Sequence, residues 1–200
     1  EQNVAHVINN AYGVQSREIM ATINEASKRG RIDAIIQSTD KNFLCPVGGS
    51  IIASPKEDFA SKVAQLYAGR ASAAPAAQFL STMLRIGYDG YEKLRNIQEK
   101  NRRRLQDKVE RLAKDVGERV LDTHNPVATA MSLSRIDDHK KVGQKLYSLR
   151  VTGPRSIDVT DYGTCCEKYK YPYLTLNAAI GCTIEDIDVS IERLKRILLR

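Results

Sequence analysis

Lys41 stands where an amine can do chemistry. It lies in the stretch Gln37 to Gly49, QSTDKNFLCPVGG, between the apolar run Ile32 to Ile36 and the paired glycines Gly48 and Gly49. A side chain just past the carboxyl end of a parallel strand sits where open α/β sheets place their ligands. Held partly out of water, such an amine is a nucleophile that condenses with an aldehyde. Spacing alone leaves open the alternative of a solvated lysine in a turn.

Three neighbours bear on that choice. Ser38, three residues before Lys41, can turn its hydroxyl back toward a phosphate beside the aldehyde carrier. Gly48 and Gly49 allow the backbone to come close to something bulky. Asn9-Asn10-Ala11-Tyr12-Gly13 falls at the end of the preceding strand, where its side chains can meet the far edge of an aromatic ring. Together these groups outline a cradle for pyridoxal phosphate, with one group on the ring nitrogen, one on the ring hydroxyl and a lysine on the aldehyde. Arg70, in Gly69-Arg70-Ala71-Ser72, offers a guanidinium suited to paired hydrogen bonds with a phosphate, or else a helix-terminal arginine paired with a carboxylate.

The elements that must position these groups read as strand, helix, strand. Val4 to Ile8 is expected as a buried strand, Ser16 to about Ser27 as a helix, and Ile32 to Ile36 as a second strand parallel to the first. Ser50 to Ala53 is a short strand. Ser54-Pro55-Lys56-Glu57 carries an N-cap, a proline at the first helical position and a capping carboxylate, which predicts a helix from Pro55 to about Tyr67 that stops at Gly69. Helical spacing resumes through Phe79, Met83 and Leu84 to Gly87. A longer amphipathic helix follows from Gly90 to Val116, lying along a domain surface. Past Asn125-Pro126 the pattern becomes α+β, with strands at Ala128 to Leu133, Arg155 to Val159 and Tyr173 to Leu176, and helices at about Asp137 to Leu149 and Thr183 to Leu199.

Two hundred residues at 42% hydrophobic and 28% charged content describe a globular chain with a sizeable core. No apolar run approaches a membrane span and no signal core follows the N-terminus, so we expect a cytoplasmic protein. The chain begins Glu1-Gln2-Asn3 with a strand already under way by Val4, from which we expect a fragment. Cys45, Cys165, Cys166 and Cys182 with His6, His124 and His139 show no metal-ligand spacing. The net charge of +7 favours polyanionic partners, with Lys28-Arg29-Gly30-Arg31, Arg102-Arg103-Arg104 and Arg193 to Arg200 holding much of the excess, although a solvated helix face explains any one cluster more often than nucleic-acid binding does. Lys168 to Tyr171 alternates basic and aromatic residues, as an RNA-stacking surface or an exposed edge strand does.

The segments NNAYGVQS, GRIDAIIQSTDKNFLCPVGG, YAGRASAAP, HNPVATAMSL and YPYLTLNAAIG resemble the archaeal and eukaryotic selenocysteine synthases, the O-phosphoseryl-tRNA(Sec) selenium transferases, over essentially the whole chain. The resemblance implies an α/β protein of the fold type I pyridoxal-phosphate-dependent (aspartate aminotransferase-like) class. Residues 1–88 would form the C-terminal part of its large domain, 89–118 a bridging helix and 119–200 a small α+β domain. It implies pyridoxal 5'-phosphate held as a Schiff base on Lys41, with Asn9, Tyr12 and Ser38 around it. Asn9 stands where related fold type I enzymes have an aspartate. Arg70 matches the arginine that grips the substrate's phosphoserine. Lys28 and, within one position of register, Arg150 match residues that contact tRNA(Sec). Selenophosphate as donor and a dimer of dimers complete what the family implies. Since the family enzyme is about twice this length, a non-catalytic tRNA-binding or oligomerisation piece is the alternative. A desulfurase needs a mobile cysteine and a decarboxylase a histidine where this chain has Asp40, so both stand behind the transferase.

Overall fold

The computed structural model describes residues 4–67, 69–158 and 171–199. They fall into two compact units, Glu1–Asn96 and Ile97–Arg200.

The first unit is built on a three-stranded sheet of β1 (Val7–Asn9), β2 (Ala34–Ser38) and β3 (Ser50–Ala53), in the order β1-β2-β3. β1 and β2 run parallel, with Val7 opposite Ala34 and Asn9 opposite Ile36, and β3 returns antiparallel to β2. Between them α1 (Arg17–Arg29) makes the crossover that a parallel pair requires, and the Ser16 hydroxyl caps it by accepting from the Ile19 N–H at 3.3 Å. β1 is shorter than expected and it is not buried: Val4 and Val7 are both exposed. An apolar run tells of an affinity for a cover, not of the cover itself.

Two helices complete the unit, one of them starting later than its sequence signals. α3 spans Phe59–Leu66 with Asp58 before it, because Ser54 is engaged elsewhere. Its hydroxyl donates to the Asp33 carbonyl at 2.7 Å and accepts from the Lys56 N–H at 3.0 Å. Lys56 in turn pairs with the Asp33 carboxylate, which also takes Arg31 at 2.8 Å and the His6 N–H at 2.7 Å. These donors hold the Asp33 carboxyl far below the usual range, the Arg31 hydrogen bond first.

α4 (Ala74–Asp115) merges what reads in sequence as two helices, and it bends at Gly87, whose φ of 68° and ψ of 174° leave the helical region. Apart from the flanking residues and the helix's own backbone, no described residue comes within 4 Å of where a Cβ would stand there, so glycine is required by its backbone angles and not by crowding.

In the second unit, the apolar stripe of α4 is core. Leu105, Val109 and Leu112 pack with Met131, Leu146, Leu174 and Leu194, while Arg103, Asp107 and Arg111 face water. The sheet runs β4 (Val120–Leu121), β5 (Ala128–Ser132), β7 (Tyr173–Asn177), β6 (Arg155–Ile157), all pairs antiparallel. The expected helix at Asp137 to Leu149 is instead a 3-10 turn, His139–Lys141, leading into α5 (Val142–Ser148), whose Gly143 N–H is held by the Ser156 hydroxyl at 2.8 Å. α6 (Ile184–Leu198) carries a reciprocal cap: the Thr183 hydroxyl accepts from the Asp186 N–H at 3.1 Å, and the Asp186 carboxylate accepts from the Thr183 N–H at 2.8 Å. Gln98 and Asn101, both buried, donate to the carbonyls of Ala178 (2.9 Å) and Cys182 (2.6 Å), tying α4 to the loop before α6.

Among the described residues no helix is long and apolar enough to cross a membrane, and no three metal-ligating side chains come together. Cys165, Cys166, Lys168, Tyr169 and Lys170 lie outside the described residues, as does Val159, the last residue of the expected strand.

Candidate active site

Because β1 and β2 are parallel and in register, both end at the same edge of the sheet. The chain leaves β1 through a series of tight turns. Asn10 N–H reaches the Ile36 carbonyl at 2.8 Å as the last rung of pairing, the Asn9 carboxamide oxygen accepts from Ala11 N–H at 3.2 Å, and Gly13 N–H closes on the Asn10 carbonyl at 3.1 Å. Asn9 and Tyr12 are exposed along this turn and Asn10 is buried beneath it.

β2 leads directly into α2 (Thr39–Asn42), a single helical turn. Lys41 Nζ donates to Ser38 Oγ at 3.2 Å and lies 3.6 Å from the Asp40 carboxylate. The lysine side chain is 40% exposed. The glycine pair serves this turn in a way the sequence did not specify. Thr39 N–H donates to the Gly49 carbonyl at 3.1 Å, and a Cβ on Gly49 would stand 2.5 Å from Thr39 Oγ1 and 3.1 Å from the Pro75 Cβ. The close approach is thus to the chain's own Thr39 and Pro75.

Sequence reasoning passed over Asn42. It is fully buried, and its amide nitrogen donates to the carbonyls of Ala11 (2.7 Å) and Ser38 (2.8 Å). Behind it, Tyr91 Oη donates to the Asn42 carbonyl at 3.0 Å, and the Phe43 ring contacts both Phe79 (5.0 Å) and Tyr91 (5.5 Å). Burial pushes the Tyr91 phenol up to about 12. The available signal was an asparagine inside a helical turn, where its side chain competes for backbone partners.

The structure therefore brings Asn9, Tyr12, Ser38 and Lys41 to the shared carboxyl end of β1 and β2. Arg70 lies in the segment between α3 and α4, exposed, with no side-chain hydrogen bond or ion pair to a described residue. Lys28, in the last turn of α1, is exposed and pairs with Glu25 at 2.7 Å. Arg150 belongs to the other unit. It follows α5 with a φ of 60°, its N–H on the Tyr147 carbonyl at 2.8 Å.

A family model described as O-phosphoseryl-tRNA(Sec) selenium transferase, SepSecS, matches residues 1–199. The chain belongs to the O-phosphoseryl-tRNA(Sec) selenium transferase family. The member from Methanopyrus kandleri is 42% identical over 99% of this chain and 46% of its own length, and that from Dictyostelium discoideum is 33% identical over 98% of this chain and 47% of its own. The crystal structure of an archaeal O-phosphoseryl-tRNA(Sec) selenium transferase superposes with a TM-score of 0.89 at 36% identity, covering 96% of this chain and 44% of that one. This chain thus spans about half the length of the curated family members it matches. Serine palmitoyltransferase from Sphingomonas wittichii has a TM-score of 0.62 at 16% identity, covering 96% of this chain and 45% of that one. At that distance the likeness concerns the fold alone: the α/β architecture of fold type I pyridoxal-phosphate-dependent transferases.

Proposed function

We propose that this chain is the lysine-bearing part of an enzyme that converts phosphoserine on tRNA(Sec) to selenocysteine, with selenophosphate as donor. The observation that carries the reading is Lys41 Nζ set 3.2 Å from Ser38 Oγ at the carboxyl end of β2, in a chain of the selenium transferase family. The residues present fit pyridoxal 5'-phosphate: an accessible amine, a hydroxyl beside it, and the Asn9 carboxamide and Tyr12 at the neighbouring strand end.

When bound, pyridoxal phosphate supplies an aldehyde that takes up an amine and a ring that draws electrons from the adjoining carbon. Lys41 Nζ would hold the group at rest and, when free, would take the proton from the substrate α-carbon. Ser38 serves the phosphate side and Tyr12 the ring. Asn9 would meet the ring nitrogen as a neutral amide, which steadies a ring cation less than a carboxylate does. Arg70 grips the phosphate of phosphoserine with two charge-assisted hydrogen bonds and discriminates against serine, which would leave the guanidinium unpaired. Lys28 and Arg150 contact the tRNA backbone. A dimer of dimers in the cytoplasm is the setting this reading carries with it.

The test uses the full-length protein containing this segment. Borohydride reduction after adding pyridoxal phosphate adds the reduced cofactor's mass to the Lys41 peptide, and Lys41→Ala abolishes it; labelling confined to other lysines refutes the reading. Arg70→Ala lowers the preference for phosphoseryl- over seryl-tRNA(Sec) by about a hundredfold or more. A variant with normal turnover and preference removes Arg70 from the site.

A second reading applies to the 200-residue chain by itself, as a non-catalytic piece that binds tRNA or drives oligomerisation. Favouring it is that the chain spans 46% of a relative's length. Salt-dependent tRNA(Sec) binding by this chain without cofactor on Lys41 supports it.

A further inference from the structure

We infer that Asn42 is a positioning residue for Lys41, its side-chain amide holding the turn that carries Asn9 and Tyr12 against the turn that carries Ser38 and Lys41. The inference rests on the cofactor reading above. Strand pairing between β1 and β2 ends with the Asn10 N–H on the Ile36 carbonyl. Beyond that point, the Asn42 nitrogen bridges the two segments, donating to the Ala11 carbonyl on one side and the Ser38 carbonyl on the other. Ala11 lies between Asn9 and Tyr12, and Ser38 is the residue that Lys41 touches. One nitrogen therefore sets the spacing between the amine and the groups proposed to meet the far side of the ring.

The chemistry of the side chain agrees. Of the uncharged side chains, only a primary amide presents two N–H donors from one nitrogen, and asparagine does so on a short stem. A lysine or arginine could donate as often but would place a second cation beside Lys41. The choice has a cost, since Asn42 Oδ1 is buried with no hydrogen-bond partner. Leucine has nearly the same shape and would avoid that orphan, but it would leave the two carbonyls unheld. From behind, Tyr91 Oη donates to the Asn42 carbonyl, and the Phe43 ring meets those of Phe79 and Tyr91.

The test compares three forms of the full-length protein by titration with pyridoxal phosphate, borohydride trapping and mass analysis of the Lys41 peptide, alongside thermal melting. Asn42→Leu removes both donors; the cofactor's Kd rises about tenfold or more. Tyr91→Phe loosens the backing and leaves the amide in place; its melting temperature falls while its Kd stays within about twofold of the parent. Equal rises in Kd for both variants mean general loosening and overturn the inference, as does an unchanged Kd in Asn42→Leu. Should Asn42→Leu not fold, Asn42→Ser, which keeps one short donor, takes its place: an intermediate rise supports positioning and parental affinity overturns it. A parent protein that takes no label on Lys41 brings down the cofactor reading itself, which separates that failure from a failure of Asn42.

Discussion

The two units bury different things. In Ile97–Arg200 the interior is an apolar cluster, with Met131, Leu133, Leu146, Leu174 and Leu194 almost wholly removed from water. In Glu1–Asn96 the buried set is rich in polar side chains, among them Asn10, Gln15, Ser16, Asp33, Gln37, Thr39 and Asn42, while Leu66, Leu80, Leu84 and Tyr88 are exposed. The second unit is held by transfer of apolar surface from water, which is tolerant of direction. The first is held at its turns by hydrogen bonds, which are not. The proposed cofactor site, which would have to keep an amine at one spot, benefits from the directional kind, and the exposed leucines of this unit mark a surface suited to a cover.

Five experiments break or sharpen that contrast. The largest effect belongs to Lys41→Ala in the full-length protein: turnover falls by about a thousandfold or more and the cofactor's visible absorbance on the protein is lost, with melting little changed. Next comes Leu174→Ala, which empties part of a fully buried position and destabilises by about 2–5 kcal/mol in chemical denaturation. Its counterpart in the first unit, Leu84→Ala at 77% exposure, stays within about 0.5 kcal/mol in the isolated chain; a larger loss means that the position is covered. Thr183→Ala removes one arm of the α6 cap and costs about 1 kcal/mol by the same measurement. The smallest effect is spectroscopic. The Tyr91 phenol is raised from 10.0 to about 12, so its share of stability is intact below pH 10 and is lost as pH rises through 12. Ultraviolet titration shows a late tyrosine step that Tyr91→Phe removes.

What the sequence made legible follows the same division. The parallel β1–β2 pair, the position of Lys41 past its carboxyl end and the start of α6 all rest on local patterns: apolar runs, a polar turn after one of them, a threonine three residues before an aspartate. Other features depended on partners far along the chain. Ser54 carries every mark of an N-cap, yet its hydroxyl is drawn to Asp33. Val4 and Val7 look like interior residues, and nothing local says what lies over them. β4 is two residues long, too short for any period to register. Asn42 belongs to no pattern, because its partners are 31 and 4 residues away and both are backbone carbonyls.

The bend at Gly87 has a mechanical consequence. Over the stretch from Phe79 to Tyr91 a straight helix would advance roughly 18 Å, yet rings from both ends of that stretch touch the single ring of Phe43. The helix works as a clasp closed at its hinge, gripping the residue next to Asn42. A side chain at Gly87 would open the clasp without touching the lysine turn, and Phe43 would then be gripped from one side only.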